Sequence, residues 1–141
     1  MHVVTGGAFN GKSKWVRDYY GVPLEWYSAY DGTSWDEKSF KKDVVVLEGL
    51  EEWIKTLVSD QKSLKETRRA VRSYIEAWSA WESGRDERTI IVIGTDIMKG
   101  IVPLEKEKRM WRDVVGWAYQ DLVSLAERVD VIWYGLNQQL K

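Results

Sequence analysis

A glycine-rich segment near the start of the sequence has the residue types and spacing of a phosphate-binding loop. Residues 6–13, Gly-Gly-Ala-Phe-Asn-Gly-Lys-Ser, match the pattern Gly-x-x-x-x-Gly-Lys-Ser/Thr. Glycine allows backbone N–H groups to turn inward around phosphate oxygens without interference from side chains. We predict that Lys12 contacts the β- and γ-phosphates of a nucleotide and that Ser13 places its hydroxyl on Mg²⁺. The predicted nucleotide-binding residues are Gly6, Gly7, Ala8, Phe9, Asn10, Gly11, Lys12 and Ser13.

The segments around this loop are those that a P-loop requires. The strand-forming residues Val3-Val4-Thr5 precede it, and residues 14–20 that follow it can form a helix. The positive end of a helix that starts at the loop would favour a bound anion. A glycine turn with an exposed lysine is the alternative, and it would not require a strand and a helix in this order.

Two acidic residues lie at or after the ends of predicted strands and are candidates for binding Mg²⁺ and for orienting the hydroxyl group that accepts the phosphate. Glu48 closes the apolar run Val44–Leu47, and Asp96 comes shortly after the run Ile90–Ile93. Ligands bind at the carboxyl ends of the strands in open α/β sheets. We predict that Glu48 holds Mg²⁺ together with Ser13 and that Asp96, the second candidate for the metal, orients the acceptor hydroxyl. Either carboxylate could instead cap a helix.

Four short apolar runs predict the strands that position these residues. Their continuous hydrophobicity is typical of a parallel sheet that is covered on both faces. Apolar residues at helical spacing predict one or two helices between the second and third runs, and another helix between the third and fourth. The segment 21–42 lacks a sustained period and is interpreted as a loop-rich connection with one short strand. The four runs are Val3–Thr5, Val44–Glu48, Ile90–Gly94 and Val131–Gly135.

Composition excludes several classes of protein. A chain of 141 residues with 44% hydrophobic and 30% charged residues is expected to form one α/β domain, residues 1–141, with helices on both faces of the sheet. Its 21 basic and 22 acidic residues leave no surplus charge for non-specific binding to nucleic acid or to an anionic membrane. The absence of cysteine excludes disulfides and cysteine nucleophiles. No signal peptide or membrane span is predicted, and we expect a cytoplasmic protein.

The second half of the sequence carries further motifs. They are Gly100-Ile101-Val102-Pro103, then Arg109, Arg112-Asp113, Gly116 and Gln120, and finally Gly135-Leu136 before Leu140-Lys141. Together with the P-loop and with the stretch Glu48 to Trp53, they resemble the motifs of the adenosylcobinamide kinase/adenosylcobinamide-phosphate guanylyltransferase family. The resemblance covers the chain except for about residues 21–42 and most of 59–88.

The resemblance implies a P-loop NTPase fold of the RecA type and a homotrimer with the nucleotide near a subunit boundary. It also implies a role in cobalamin biosynthesis, with ATP or GTP as the phosphate donor, Mg²⁺ as cofactor and a corrinoid, cobinamide, as the acceptor. Members of the family phosphorylate adenosylcobinamide and then transfer a guanylyl group through a histidine. We therefore expect a kinase of this type.

This chain departs from the family at the histidine. The family's guanylylated histidine lies between the P-loop helix and the acid-bearing strand, and this interval contains no histidine here. The single histidine, His2, precedes the P-loop strand and is interpreted as a residue that starts the strand. The sequence thus puts guanylyl transfer in doubt, and the alternative function is that of a catalytically inactive nucleotide-binding or regulatory subunit.

Two further groups of residues allow a functional and a structural interpretation. Arg109, Arg112 and Asp113 have helical spacing and could meet a phosphate, but helix support is the stronger explanation for them. Trp26, Tyr27, Tyr30 and Trp35 cluster in the loop-rich segment and could stack on a corrinoid or a purine base. Burial in the core or in an interface is the commoner use of such rings.

Overall fold

The computed structural model contains both strands and helices and describes residues 1–60 and 63–141. The strands are β1 (His2–Thr5), β2 (Glu25–Ser28), β3 (Val44–Glu48), β4 (Thr89–Ile93), β5 (Arg128–Trp133) and β6 (Leu136–Gln139). The α-helices are α1 (Lys12–Tyr20), α2 (Leu50–Ser59), α3 (Leu64–Ser83) and α4 (Lys106–Leu125). Two single-turn 3₁₀ helices, Ala29–Asp31 and Glu37–Ser39, lie between β2 and β3.

The strands form one sheet in the order β2-β3-β4-β1-β5-β6. All neighbouring strands are parallel except β5 and β6, which are antiparallel. The strand that leads into the P-loop, β1, is separated from the strand that ends in Glu48, β3, by the later strand β4. The carboxyl ends of β1, β3 and β4 therefore meet at one edge of the sheet, which is where an α/β fold places its ligand site.

Helices cover both faces of this sheet, so the prediction of an α/β fold with a mostly parallel, doubly covered sheet is confirmed. The helix α1 packs on one face through Val16, while α2, α3 and α4 pack on the other. Alternation along each strand divides its residues between the two faces. Those on the α1 side are Val4, Val46, Ile91, Ile93 and Ile132, and those on the opposite side include Val3, Val45, Leu47, Ile90, Val92 and Val129.

The last two strands differ from the prediction. The strand β5 starts at Arg128 rather than at Val131, because the charged side chain of Asp130 is buried and satisfied by hydrogen bonds within the sheet. Every residue of β6 is exposed, and its sequence Leu-Asn-Gln-Gln lacks the apolar pattern that would predict a strand. Backbone pairing along an exposed sheet edge therefore leaves little signal in the side chains.

Candidate active site

The P-loop connects the end of β1 to the first turn of α1, as the sequence predicted. Its backbone requires glycine at two positions, because Gly6 has a φ of +143° and Gly11 a φ of +85°. A Cβ atom at position 6 would also lie 2.4 Å from the carbonyl oxygen of Ile132 on β5. The tip residue Phe9 has a positive φ as well, and its side chain is fully exposed.

The side chain of Lys12 lies over the loop that precedes it. Its Nζ donates a hydrogen bond to the carbonyl of Gly7 at 2.8 Å, and the residue is 8% exposed. Burial lowers the pKa of Lys12, and the nearby carboxylates of Glu51 and Glu48 oppose this shift. A positive charge is thus held at the centre of the loop, with a backbone carbonyl as the partner that a phosphate oxygen would replace.

Ser13 and Glu48 lie side by side although they come from different elements. The Ser13 hydroxyl donates a hydrogen bond to Oε1 of Glu48, and the indole N–H of Trp26 donates to Oε2 at 2.9 Å. The guanidinium of Arg17 lies 4.0 Å from the ring of Trp26. The carboxylate of Glu48 is therefore fixed from two sides, with its oxygens next to the Ser13 hydroxyl.

This oxygen pair suits Mg²⁺ better than a cation that needs a complete protein cage. No group of three or more histidine or acidic side chains that could hold a metal occurs within residues 1–60 and 63–141. Mg²⁺ is commonly held by one or two carboxylates together with substrate phosphates and water. The hydroxyl of Ser13 and the carboxylate of Glu48 fit that donor set.

A second glutamate, Glu51, lies in the same cleft and was not selected from the sequence. It is 3% exposed, and its Oε1 accepts a hydrogen bond from the Tyr30 hydroxyl while its Oε2 accepts one from the backbone N–H of Thr95 at 3.0 Å. The Trp111 indole N–H donates to the Glu51 carbonyl at 2.7 Å. Burial, and the hydrogen bond to Glu51, raise the pKa of Tyr30.

The predicted residues and Glu51 line one cleft of about 620 Å³ beside the P-loop. The structure thus brings Lys12, Ser13 and Glu48 together. The full lining is Ala8, Phe9, Asn10, Gly11, Lys12, Ser13, Lys14, Tyr30, Glu48, Glu51, Glu52, Ile93, Thr95 and Ile97.

Asp96 lies next to this cleft but is not among its lining residues. Its backbone N–H donates to the carbonyl of Gly6 at 2.9 Å, which ties the segment after β4 to the P-loop. Its Oδ1 accepts a hydrogen bond from the backbone N–H of Met98 at 2.9 Å. The carboxylate therefore stabilises the turn that follows β4.

The turn between β5 and β6 supports the P-loop from the side. The backbone N–H of Gly135 donates to the Asn10 carbonyl at 2.8 Å, and the N–H of Tyr134 donates to the Asn10 side chain at 3.0 Å. Both turn residues have positive φ, 52° for Tyr134 and 77° for Gly135. Asn10 is thus the P-loop residue that connects the loop to the turn between β5 and β6.

His2 occupies the end of β1 that lies away from the P-loop, so its interpretation as the residue that starts the strand is confirmed. Its Nε2 lies 2.8 Å from Oδ2 of Asp130, and its Nδ1 lies 2.7 Å from the Tyr20 hydroxyl. Burial lowers the pKa of His2, although the hydrogen bond and the charge of Asp130 oppose the shift. This histidine belongs to a buried polar cluster between α1, β1 and β5.

The arginines of α4 contact the loop before that helix. Arg109 donates to the Pro103 carbonyl at 3.2 Å, and Arg112 donates to the Met98 carbonyl at 2.5 Å. Both guanidinium groups thus hold the connection between β4 and α4, which agrees with their structural interpretation.

The members of the aromatic cluster have different roles, since Trp26 holds Glu48, Trp35 and Tyr27 pack against other rings, and Tyr30 lines the cleft. Trp35 packs edge-on against Tyr74 and Trp78, with centroid distances of 4.9 and 5.1 Å. Tyr27 packs against Phe40. Tyr30 is the member of the cluster that lines the cleft.

A family model described as CobU, cobinamide kinase / cobinamide phosphate guanyltransferase, matches residues 24–140. The P-loop precedes the matched range, so the loop and the match are separate observations. No curated protein matches the chain. Within the part of the chain that the structure describes, no helix is long and apolar enough to cross a membrane.

Proposed function

The chain belongs to the cobinamide kinase/cobinamide phosphate guanyltransferase family, and we propose that it is a nucleotide-dependent kinase that phosphorylates the hydroxyl group of a cobinamide-type acceptor. The family has a P-loop NTPase fold, uses nucleotides and acts in cobalamin biosynthesis. One observation carries the proposal for this chain. Lys12, Ser13 and Glu48, which come from two elements that are distant in the sequence, line one cleft next to the P-loop amides.

The P-loop binds the β- and γ-phosphates of ATP or GTP in this proposal. The Lys12 ammonium leaves the Gly7 carbonyl and donates to phosphate oxygens, while the N–H groups at the start of α1 face the same anion. Phosphoryl transfer depends mainly on positioning and on stabilisation of the charge that spreads over the γ-phosphate oxygens. Lys12 is already buried at the loop, so it supplies that charge by exchanging one hydrogen-bond acceptor for another.

Ser13 and Glu48 would hold Mg²⁺, and a bound Mg²⁺ would supply neutralisation of the phosphate charges. The hydrogen bond from Trp26 keeps the Glu48 carboxylate in place. Asp96, which lies beside the loop, is the proposed residue for orienting the acceptor hydroxyl. The proposal is limited to the kinase step, because residues 21–43, between α1 and β3, contain no histidine.

A homo-oligomer, a trimer as the family resemblance implies, is part of the proposal. Apolar side chains in the loop before α4 support it, since Ile101 is 96% and Leu104 94% exposed in the single chain. Such residues commonly lie in an interface. Sedimentation equilibrium of the purified protein measures the oligomeric mass, and a monomer at micromolar concentration would contradict this part of the proposal.

A nucleotide-binding subunit without catalytic activity is the second candidate. The observation that favours it is the missing histidine between α1 and β3. This candidate keeps the P-loop and its Lys12, because both functions need bound nucleotide. It differs from the kinase in the absence of any phosphorylated acceptor.

The test is mass-spectrometric detection of a phosphorylated product after incubation with adenosylcobinamide, Mg²⁺ and ATP or GTP. Wild-type protein and the control Lys41→Ala, at an exposed lysine outside the cleft lining, should form product, and Lys12→Ala should lose at least about 100-fold of the rate. Equal activity of Lys12→Ala and wild type would contradict the mechanism. Nucleotide binding without product from wild-type protein would favour the binding subunit.

A further inference from the structure

Tyr30 and Glu51 form a hydrogen-bonded pair inside the cleft. Tyr30 is 54% exposed while Glu51 is 3% exposed, and the Tyr30 hydroxyl donates a hydrogen bond to Oε1 of Glu51. The tyrosine comes from the 3₁₀ turn after β2, and the glutamate from the first turn of α2. Both residues line the cleft, and Tyr30 is the more exposed of the two, so a molecule that enters the cleft can contact its side chain.

The pair is held in place by the ends of two strands. Oε2 of Glu51 accepts from the Thr95 N–H at 3.0 Å, and the Thr95 hydroxyl lies 3.3 Å from the Tyr30 hydroxyl. Glycine is needed beneath the ring, since a Cβ at position 49 would lie 3.0 Å from Ala29 and 3.4 Å from Tyr30. These contacts fix the orientation of a phenol and a carboxylate that no step of the proposed mechanism has used so far.

We propose that Tyr30 and Glu51 form a relay that receives the proton of the acceptor hydroxyl during phosphoryl transfer. The inference rests on the proposed kinase function and adds the residues that handle its proton. Tyr30 is the catalytic residue of the relay, because its hydroxyl contacts the acceptor. Glu51 acts through Tyr30 and orients its hydroxyl.

The step is balanced as follows. The acceptor oxygen forms a bond to the γ-phosphorus, and the bond from that phosphorus to the bridging oxygen of the β-phosphate breaks. The leaving nucleoside diphosphate takes that electron pair. The acceptor proton passes to the Tyr30 oxygen, while the phenolic proton of Tyr30 passes to Oε1 of Glu51.

The charges around the relay support this direction of transfer. Glu51 is the carboxylate that already accepts from Tyr30, whereas Oδ1 of Asp96 accepts from the Met98 N–H outside the cleft lining. Glu48 is engaged by Ser13 and Trp26. The raised pKa of Tyr30 keeps its hydroxyl protonated at neutral pH, as a proton donor to Glu51 must be.

Paired variants test the relay in the full chain. Tyr30→Phe, Glu51→Gln and the double variant are compared with wild type for kcat of adenosylcobinamide phosphorylation and for the nucleotide Kd. The chain offers a matched control pair, because the Tyr27 hydroxyl donates to Glu25 at 2.6 Å outside the cleft. Tyr27→Phe and Glu25→Gln remove the same kind of hydrogen bond away from the reaction.

A relay predicts that each cleft variant lowers kcat by about 100-fold or more, as loss of general acid–base catalysis does. The nucleotide Kd should stay within about twofold of the wild-type value. The double variant should lose no more kcat than either single variant, because both residues take part in the same proton transfer. Retention of wild-type kcat, or an equal loss in the control pair, would overturn the relay alone. Absence of any phosphorylated product from wild type would overturn the kinase proposal and the relay with it.

Discussion

The side-chain oxygen of Asn10 accepts a hydrogen bond from the backbone N–H of Tyr134 at 3.0 Å, and this bond joins the P-loop to the turn between β5 and β6. The Asn10 carbonyl accepts a second bond, from Gly135 at 2.8 Å. Of the two, only the first depends on the side chain. Substitution at position 10 can therefore loosen the loop without removing a backbone N–H group of the P-loop.

Asn10→Ala should weaken nucleotide binding by about fivefold, which corresponds to about 1 kcal/mol for one hydrogen bond. Isothermal titration calorimetry with a non-hydrolysable triphosphate measures this change. Gln138→Ala, at an exposed position of β6 outside the cleft lining, is the control and should leave the affinity unchanged. An unchanged Kd for Asn10→Ala would show that the turn does not hold the loop.

Glu48→Gln should uncouple nucleotide binding from Mg²⁺. The proposed metal pair is Ser13 and Glu48, and loss of an interaction with a charged group costs about 1.5–3 kcal/mol. The ratio of the nucleotide Kd in EDTA to the nucleotide Kd in excess Mg²⁺ should therefore fall by about tenfold or more in the variant. Glu25→Gln should keep the wild-type ratio of the two Kd values. A wild-type ratio in Glu48→Gln would show that Glu48 is not a ligand of the metal.

Lys12→Met should abolish nucleotide binding and raise the Tm of the free protein. Burial lowers the pKa of Lys12. The charged form of this side chain therefore lowers the free energy of unfolding at any pH below that pKa. Methionine keeps the length of the stem without the charge, and a gain of about 1 kcal/mol would raise the Tm by about 3 °C. Lys14→Met, at an exposed position, should change the Tm by less; a lower Tm for Lys12→Met would contradict the argument.

Stability should fall as the pH is lowered from about 7 to 5, and His2 should be responsible. Its folded-state pKa is lowered by burial, so the unfolded chain binds more protons just below the ordinary histidine value of 6.5. The pKa of Asp130 is lowered from 3.8, because its hydrogen bonds with Arg128 and Asn137 outweigh the effect of burial. Protonation of Asp130 therefore reduces stability only at a lower pH than that of the histidine transition.

Urea denaturation at several pH values measures this slope. His2→Gln should flatten the curve between pH 7 and 5, since the chain contains no other histidine. An equally steep slope in the variant would assign the pH dependence to other groups.

Much of the fold could be predicted because its signals lie in apolar runs. The predicted strand Val44–Glu48 is β3 residue for residue, and the stretch after it, predicted to form one or two helices, forms α2 and α3. The edge strand β6 could not be predicted, since its exposed side chains carry no periodic pattern.

The residues of the candidate site could be predicted where they belong to a local sequence motif. They could not be predicted where they are defined by contacts between residues that are distant in the sequence. The P-loop spacing identified Lys12 and Ser13, and the end of a strand identified Glu48. Glu51 resembles an ordinary acid in the first turn of a helix, which the helix dipole favours. A second acid one turn after a strand-end acid was the only signal, and its contact with Tyr30 is a property of the folded chain alone.

The placement of β1 between β4 and β5 also has a consequence for synthesis on the ribosome. Among the six strands of this sheet, β1 is made first, and it pairs with strands that come much later, since His2 pairs with Ile91 and with Arg128. The P-loop strand therefore has no neighbour in the sheet until the residues of β4 have left the exit tunnel. The sheet edge on which the P-loop lies can therefore be completed only after most of the domain has been translated.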